Sequence, residues 1–254
     1  MSIKTKIALV TGGSRGLGKD MVLNLAKNGN NIIFTYNSSK AEADRVVDEV
    51  TAFGHKAAAF QLDISKMSSI ETFVNQVTAH LNEQESSPNF DYLINNAGTG
   101  IYGSVFDTTE DAFDNMMNIH FKGVYFLTQK LLPFMKEGGG IVNISSGLTR
   151  VSFPNVSAYA SMKGAIETYT KCLAKELGSR KIRANVVAPG AIATDFGGGS
   201  NKTDENKRTA IAGLTALGRV GVPEDIGGVV AFLCTSEAGW LNGQRIELSG
   251  GMAV

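Results

Sequence analysis

The sequence is short of cysteine, of surplus charge and of long apolar runs. Two cysteines, Cys172 and Cys234, stand in 254 residues. That is too few for a disulfide-stapled secreted scaffold, and both are expected to act as small buried hydrophobes. No close pair of cysteine or histidine ligands points to zinc. Lysine plus arginine number 24, and so do aspartate plus glutamate. No net charge therefore draws the chain to nucleic acid or to an acidic membrane surface. The first apolar run, Ile7–Val10, is too short for a signal-peptide core or a bilayer span, and no later run is longer than a core element needs. These absences leave a soluble, cytoplasmic protein with a small-molecule partner as the expectation.

What is present reads as one α/β unit spanning 1–254. A hydrophobic content of 43% is ordinary for a globular chain and sufficient for a substantial core. Short apolar runs at 6–11, 31–36, 56–62, 92–95, 140–145, 183–187 and 244–248 alternate with amphipathic stretches at 17–28, 41–53, 68–81, 110–136, 158–177 and 224–234. Strand-then-helix alternation predicts a Rossmann-like, doubly wound parallel sheet with helices on both faces. No repeat or linker divides the chain. The polar stretch 83–89 reads as a surface loop. The Gly-rich stretch 195–209 reads as a second, longer loop, either a mobile lid or a surface insertion.

After the first strand comes Gly12-Gly13-Ser14-Arg15-Gly16-Leu17-Gly18. Glycines let a backbone approach a ligand closely, and a helix N-terminus offers free N–H groups to a pyrophosphate. Gly12, Ser14, Arg15, Gly16, Leu17 and Gly18 are thus candidates for cradling a dinucleotide. The second strand ends in Tyr36-Asn37-Ser38-Ser39, with no carboxylate to hold a ribose 2′-hydroxyl and repel a 2′-phosphate. With Arg15 close by, this favours NADP(H), leaving NAD(H) open. Asp63 and Ile64, after the third strand, are candidates for the adenine edge, although an aspartate there also serves as a cap.

Tyr159 precedes Lys163 by four residues, so on a helix the two share a face. A phenol beside an ammonium can give a proton to an alkoxide or take one from an alcohol. The ammonium is expected to hold the phenol below its usual pKa of ~10. Ser146 lies thirteen residues before Tyr159.

The glycine turn, Asn95-Asn96-Ala97-Gly98, Ser146, Tyr159, Lys163 and Pro189-Gly190, in this order and over essentially the whole chain, resemble the compact short-chain dehydrogenase/reductases. The resemblance implies a seven-stranded parallel sheet, a nicotinamide cofactor and interconversion of carbonyl and alcohol. It implies that Asn96, Ala97 and Gly98 line the adenine-ribose side and brace the sheet. It implies that Pro189, Gly190, Ile192 and Thr194 edge the nicotinamide. Ser146 would polarise the carbonyl, Tyr159 donate the proton, and Lys163 hold the ribose hydroxyls. The family asparagine that helps hold a relay water is replaced here by His120, expected to support the relay or to be a buried structural histidine. Ile101, Tyr102, Leu148, Val151, Phe153 and Phe196 are expected to form an apolar substrate pocket. The resemblance further implies a homotetramer. A 3-oxoacyl-carrier-protein reductase and a non-catalytic dinucleotide sensor stay open as alternatives.

Overall fold

The computed structural model describes residues 5–254. Seven strands form the sheet: β1 Ile7–Val10, β2 Asn31–Tyr36, β3 Ala57–Gln61, β4 Phe90–Asn95, β5 Met135–Ile144, β6 Arg183–Pro189 and β7 Arg245–Leu248. They lie in the order β3-β2-β1-β4-β5-β6-β7, and all neighbours are parallel. The order reverses between β1 and β4, which opens a crevice at the carboxyl ends of the strands.

Strands in such a sheet are covered on both faces, so they read as continuous apolar runs. Strand β1 is Ile-Ala-Leu-Val with all four residues buried. Alternate side chains point to opposite faces. Leu9 therefore joins one core with Ile70, Phe73, Leu127 and Ile166. Ala8 and Val10 join the other with Met21, Val22, Ile226 and Val230. The first core is closed by helices α3 (Met67–Glu85), α5 (Gly123–Leu131) and α6 (Ser157–Glu176), and the second by α1 (Gly16–Lys27), α2 (Lys40–Ala52) and α9 (Glu224–Leu233). Among the described residues no helix is long and apolar enough to cross a membrane.

Four expectations need correction. The stretch 110–136 is not one helix. It comprises α4 (Glu110–Met117), a π-helical turn (Asn118–Lys122), α5 and a 3-10 turn (Leu132–Phe134), and Met135 already belongs to β5. Pro133 lacks the N–H that would carry α5 onward. The stretch 195–209 is mostly helical: α7 (Ser200–Thr203) and α8 (Glu205–Leu214) follow a short turn. Asp204 caps α8 by accepting the Lys207 N–H at 3.0 Å. Helix α3 runs through Glu85 into the supposed loop, and Ser86 ends it in a left-handed conformation. Cys172 is exposed on α6, whereas Cys234 is buried as expected.

Candidate active site

A cleft of about 860 Å³ opens at the carboxyl ends of the strands. Every residue singled out for cofactor or catalysis lines it, from Gly12 and Ser14 to Ile192 and Thr194.

On one side the chain turns from β1 into α1. Gly12 and Gly16 adopt positive φ of 67° and 53°. A Cβ on Gly18 would collide with the Gly12 carbonyl, so only glycine lets the helix start this close to the turn. No side chain caps α1. Its first N–H groups therefore face the cleft without a side-chain partner. Asn96 braces the turn, its Nδ2 donating to the Thr11 and Gly12 carbonyls at 2.9 and 3.1 Å. The Asn96 and Ala97 N–H groups both donate to Thr11 Oγ1. This cradle of open N–H groups fits a dinucleotide pyrophosphate.

At the end of β2, Tyr36, Asn37, Ser38 and Ser39 line the cleft as expected, joined by Glu42 from the first turn of α2. Asp63 already has partners. Its Oδ1 accepts from Ser65 N–H and Oγ, and its Oδ2 pairs with Lys66. Burial works against its ionisation, but these partners outweigh it and hold the carboxyl below its ordinary value.

Across the cleft, the end of β5 presents Ser146 and α6 presents Tyr159 and Lys163, all three buried. Ser146 Oγ accepts the Leu148 N–H at 3.2 Å, and the serine also interacts with the Tyr159 phenol. Lys163 Nζ donates to the Ile144 carbonyl at 2.8 Å and lies 5.6 Å from the centre of the Tyr159 ring. Burial lowers the lysine to about 8.

The expected lowering of Tyr159 is not observed. Burial pushes the phenol up, Tyr102 adds to this, and Ser146 offsets only part. The lysine sits over the ring face, with one hydrogen committed to Ile144, so its pull on the phenolate oxygen is weak.

His120 sits in the π-helical turn that interrupts the α4–α5 segment, the kind of irregularity that re-aims a side chain. It is 1% exposed. Its Nε2 lies 2.7 Å from the Thr99 carbonyl, so the proton belongs on Nε2. Nδ1 is then a buried acceptor without a protein partner. The ring meets Tyr159 edge-on at 5.1 Å between centroids. Burial, with Lys163 nearby, lowers its pKa to about 3, although Thr99 opposes this. The imidazole is therefore neutral at ordinary pH. Gly98, singled out for the cofactor, has a second duty: a Cβ there would come within 2.8 Å of His120 Cε1.

The apolar wall is made of Tyr102, Leu148, Val151, Phe153 and Phe196, but Ile101 faces elsewhere. Tyr102 and Phe196 both meet Tyr159 edge-on, at 6.1 and 6.0 Å. Leu214 at the end of α8 and Met252 in the C-terminal tail also line the cleft. Sequence reasoning missed both, because only long-range folding brings them to the cleft.

Comparison with known proteins agrees with this geometry. The family profile described as "Enoyl-(Acyl carrier protein) reductase" matches residues 12–253. Hydroxynaphthalene reductase-like protein Arp2 of Metarhizium brunneum is 35% identical over 261 residues, covering 98% of this chain and 96% of its own. The structure of the promiscuous reductase LugOII, which catalyses keto-reduction at C1 during lugdunomycin biosynthesis, superposes with a TM-score of 0.93 at 34% identity, covering 98% of each chain. The structure of the landomycin C-6 ketoreductase LanV with bound NADP and rabelomycin gives 0.89 at 33% identity, covering 98% of this chain and 96% of that one. Fold, site and relatives together define a nicotinamide-dependent oxidoreductase acting between carbonyl and alcohol. The chain belongs to the short-chain dehydrogenase/reductase family.

Proposed function

We propose that this protein reduces a ketone of fused-ring, aromatic character with NADPH, and that residues 1–254 work as one domain. The observation that carries this reading is the convergence of Ser146, Tyr159 and Lys163 beneath one cleft whose other end is a dinucleotide cradle. When bound, the nicotinamide supplies the hydride. Ser146 Oγ donates to the carbonyl oxygen and polarises it. Tyr159 gives its proton to the oxygen that becomes the alcohol.

A phenol pushed up by burial suits this direction. It keeps its proton at neutral pH, yet it remains a stronger acid than the alcohol it makes. Lys163 has two ammonium hydrogens left after Ile144 for the nicotinamide ribose. His120, neutral and fixed by the Thr99 carbonyl, packs edge-on against Tyr159 and offers Nδ1 as an acceptor to the relay.

Support for NADPH comes from the neutral end of β2, from Arg15, and from the NADP found in LanV. Support for a fused-ring ketone comes from Tyr102 and Phe196, which flank Tyr159, and from relatives named for hydroxynaphthalene and crystallised with rabelomycin. A homotetramer is favoured by apolar side chains left exposed on α4 and α5, Phe113 and Tyr125. A cytoplasmic site of action fits the lack of a membrane-crossing helix among the described residues.

The test is a spectrophotometric panel of ketones with NADPH and with NADH. Stoichiometric NADPH consumption with cyclic aromatic ketones is expected. Tyr159→Phe should bind NADPH normally and lose about 10²–10⁴-fold in kcat, the usual worth of a general acid. Undiminished reduction by that variant would remove the mechanism.

A further inference from the structure

The C-terminal tail is held by a set of contacts the reaction itself does not require. It pairs with the end of α8 and the residues just after it: the Ala216 N–H donates to the Gly251 carbonyl at 3.1 Å, the Leu217 N–H to the Gly250 carbonyl at 3.0 Å, and the Ala253 N–H to the Leu214 carbonyl at 2.9 Å. On its other side, Arg150 donates to the Met252 and Ala253 carbonyls at 2.6 and 3.1 Å. The same guanidinium forks onto Glu247, at 2.6 and 2.9 Å. Such planar, two-pronged contacts fix orientation as well as charge.

Glu247 is shared. Its Oε2 also accepts from Arg245 at 2.8 Å. Arg245 in turn donates to the Ser146 carbonyl at 3.3 Å and to Glu167 at 2.8 Å. Glu167 lies one helical turn beyond Lys163 and accepts from the Ser145 hydroxyl at 2.8 Å. A continuous polar chain thus runs from the tail, through Arg150, Glu247 and Arg245, to the backbone of the catalytic serine. The tail keeps an unusual backbone to make these contacts, with left-handed φ at Gly250, Gly251 and Ala253. Met252 and Leu214, joined through this pairing, both line the cleft.

We propose that Gly250–Ala253 is a specificity strap that ties the end of α8 to the catalytic turn, with Arg150 as the positioning residue that clamps it, so that bulky fused-ring ketones are held against Tyr159. The proposal rests on the reading of the cleft as a ketone-reducing site. Clamping acts on the wall of the pocket, not on the dinucleotide cradle, so its loss weakens bulky substrate more than small substrate or cofactor.

The test uses Arg150→Met, a chain ending at Gly251, and the two changes together. KM is read for 1-tetralone and for cyclohexanone, and the NADPH Kd by fluorescence titration. For 1-tetralone, Arg150→Met and the shortened chain should each raise KM about tenfold. The rise for cyclohexanone should be about twofold or less, with the NADPH Kd steady. The doubly changed protein should match either single one, because both act through one strap. Arg150→Lys, which keeps the charge but not the fork, should fall between parent and Arg150→Met. Equal rises for both ketones, a parallel rise in the NADPH Kd, or additive effects would overturn the proposal.

Hydrogen exchange supplies a readout free of turnover. In Arg150→Met the Ala216, Leu217 and Ala253 amides should exchange faster, while the Gly190 amide, bonded to Leu248, stays protected. Unchanged exchange at those three amides would also overturn it. If the parent protein reduced no ketone, the functional reading would fall, and exchange would still decide whether Arg150 clamps the tail.

Discussion

The two ends of the cleft are built in different ways. The dinucleotide end is made by a contiguous strand, turn and helix, and its working groups are mostly backbone N–H groups and glycines. The substrate end is assembled from Tyr102, the turn after Ser146, helices α7 and α8 and the C-terminal tail, and its working groups are side chains. A backbone cradle tolerates almost no change in shape but is indifferent to many side chains. A side-chain wall tolerates repacking and so can change its substrate without losing the cofactor. The difference separates what every member of such a fold must do from what one member does.

The sharpest way to break this comparison is at the cradle. Gly18→Ala would push a methyl group against the Gly12 carbonyl. NADPH affinity should fall about 100-fold or more, some 2.7 kcal/mol, with little repacking available to relieve it. Titration of NADPH fluorescence checks this, and near-parental affinity would mean the cradle is softer than its glycines suggest.

His120 lies between the two ends and tests whether the junction is rigid. Its folded-state pKa is lowered to about 3, against ~6.5 for an unfolded histidine. Below about 6.5 the unfolded chain binds the proton and the folded chain does not, so stability falls as pH falls through that window towards 3. Between pH 7 and 4.5 this one group should cost about 2–3 kcal/mol. Urea unfolding of the parent and of His120→Asn at both pH values measures the difference, since the asparagine variant lacks that share. Equal acid sensitivity in the two proteins would show that the imidazole can protonate in place.

The smallest effect belongs to the wall. Phe196→Leu keeps an apolar surface but removes the ring that meets Tyr159 edge-on. KM for fused-ring ketones should rise about three- to tenfold, consistent with roughly 0.5–1.5 kcal/mol for an aromatic pair, while NADPH affinity holds. A loss of NADPH binding instead would show that cradle and wall are not separate.

Much of the site was legible before folding. Local signals place Gly12 at a strand end before a helix start, and Tyr159 and Lys163 on one helical face, whereas Asn96 and Ser146 were expected through the family resemblance, and all five line the cleft. The misreadings have physical causes. The helix expected over 110–136 reads as continuous because hydrophobic spacing carries no sign of a π-turn; the tight packing of Gly123 beside the Ile64 carbonyl, where a Cβ would clash, is a tertiary contact. The segment 195–209 reads as loop because Gly197, Gly198 and Gly199 outweigh the Asp204 cap of α8 that follows them. The phenol is raised rather than lowered because of burial, which no spacing reports, with Tyr102 adding to it and Ser146 offsetting only part.

By itself, the order of residues determined the alternating strands and helices, the turn that meets a pyrophosphate, and that the Tyr159 phenol and Lys163 ammonium would share a helical face, since these depend on contacts a few residues apart. Only the tertiary structure decided that Arg245 reaches the Ser146 carbonyl, that Met252 comes to the cleft, that His120 is kept neutral, and how wide the substrate wall is. Those outcomes depend on distances and dielectric surroundings created when segments far apart in the chain exclude water together.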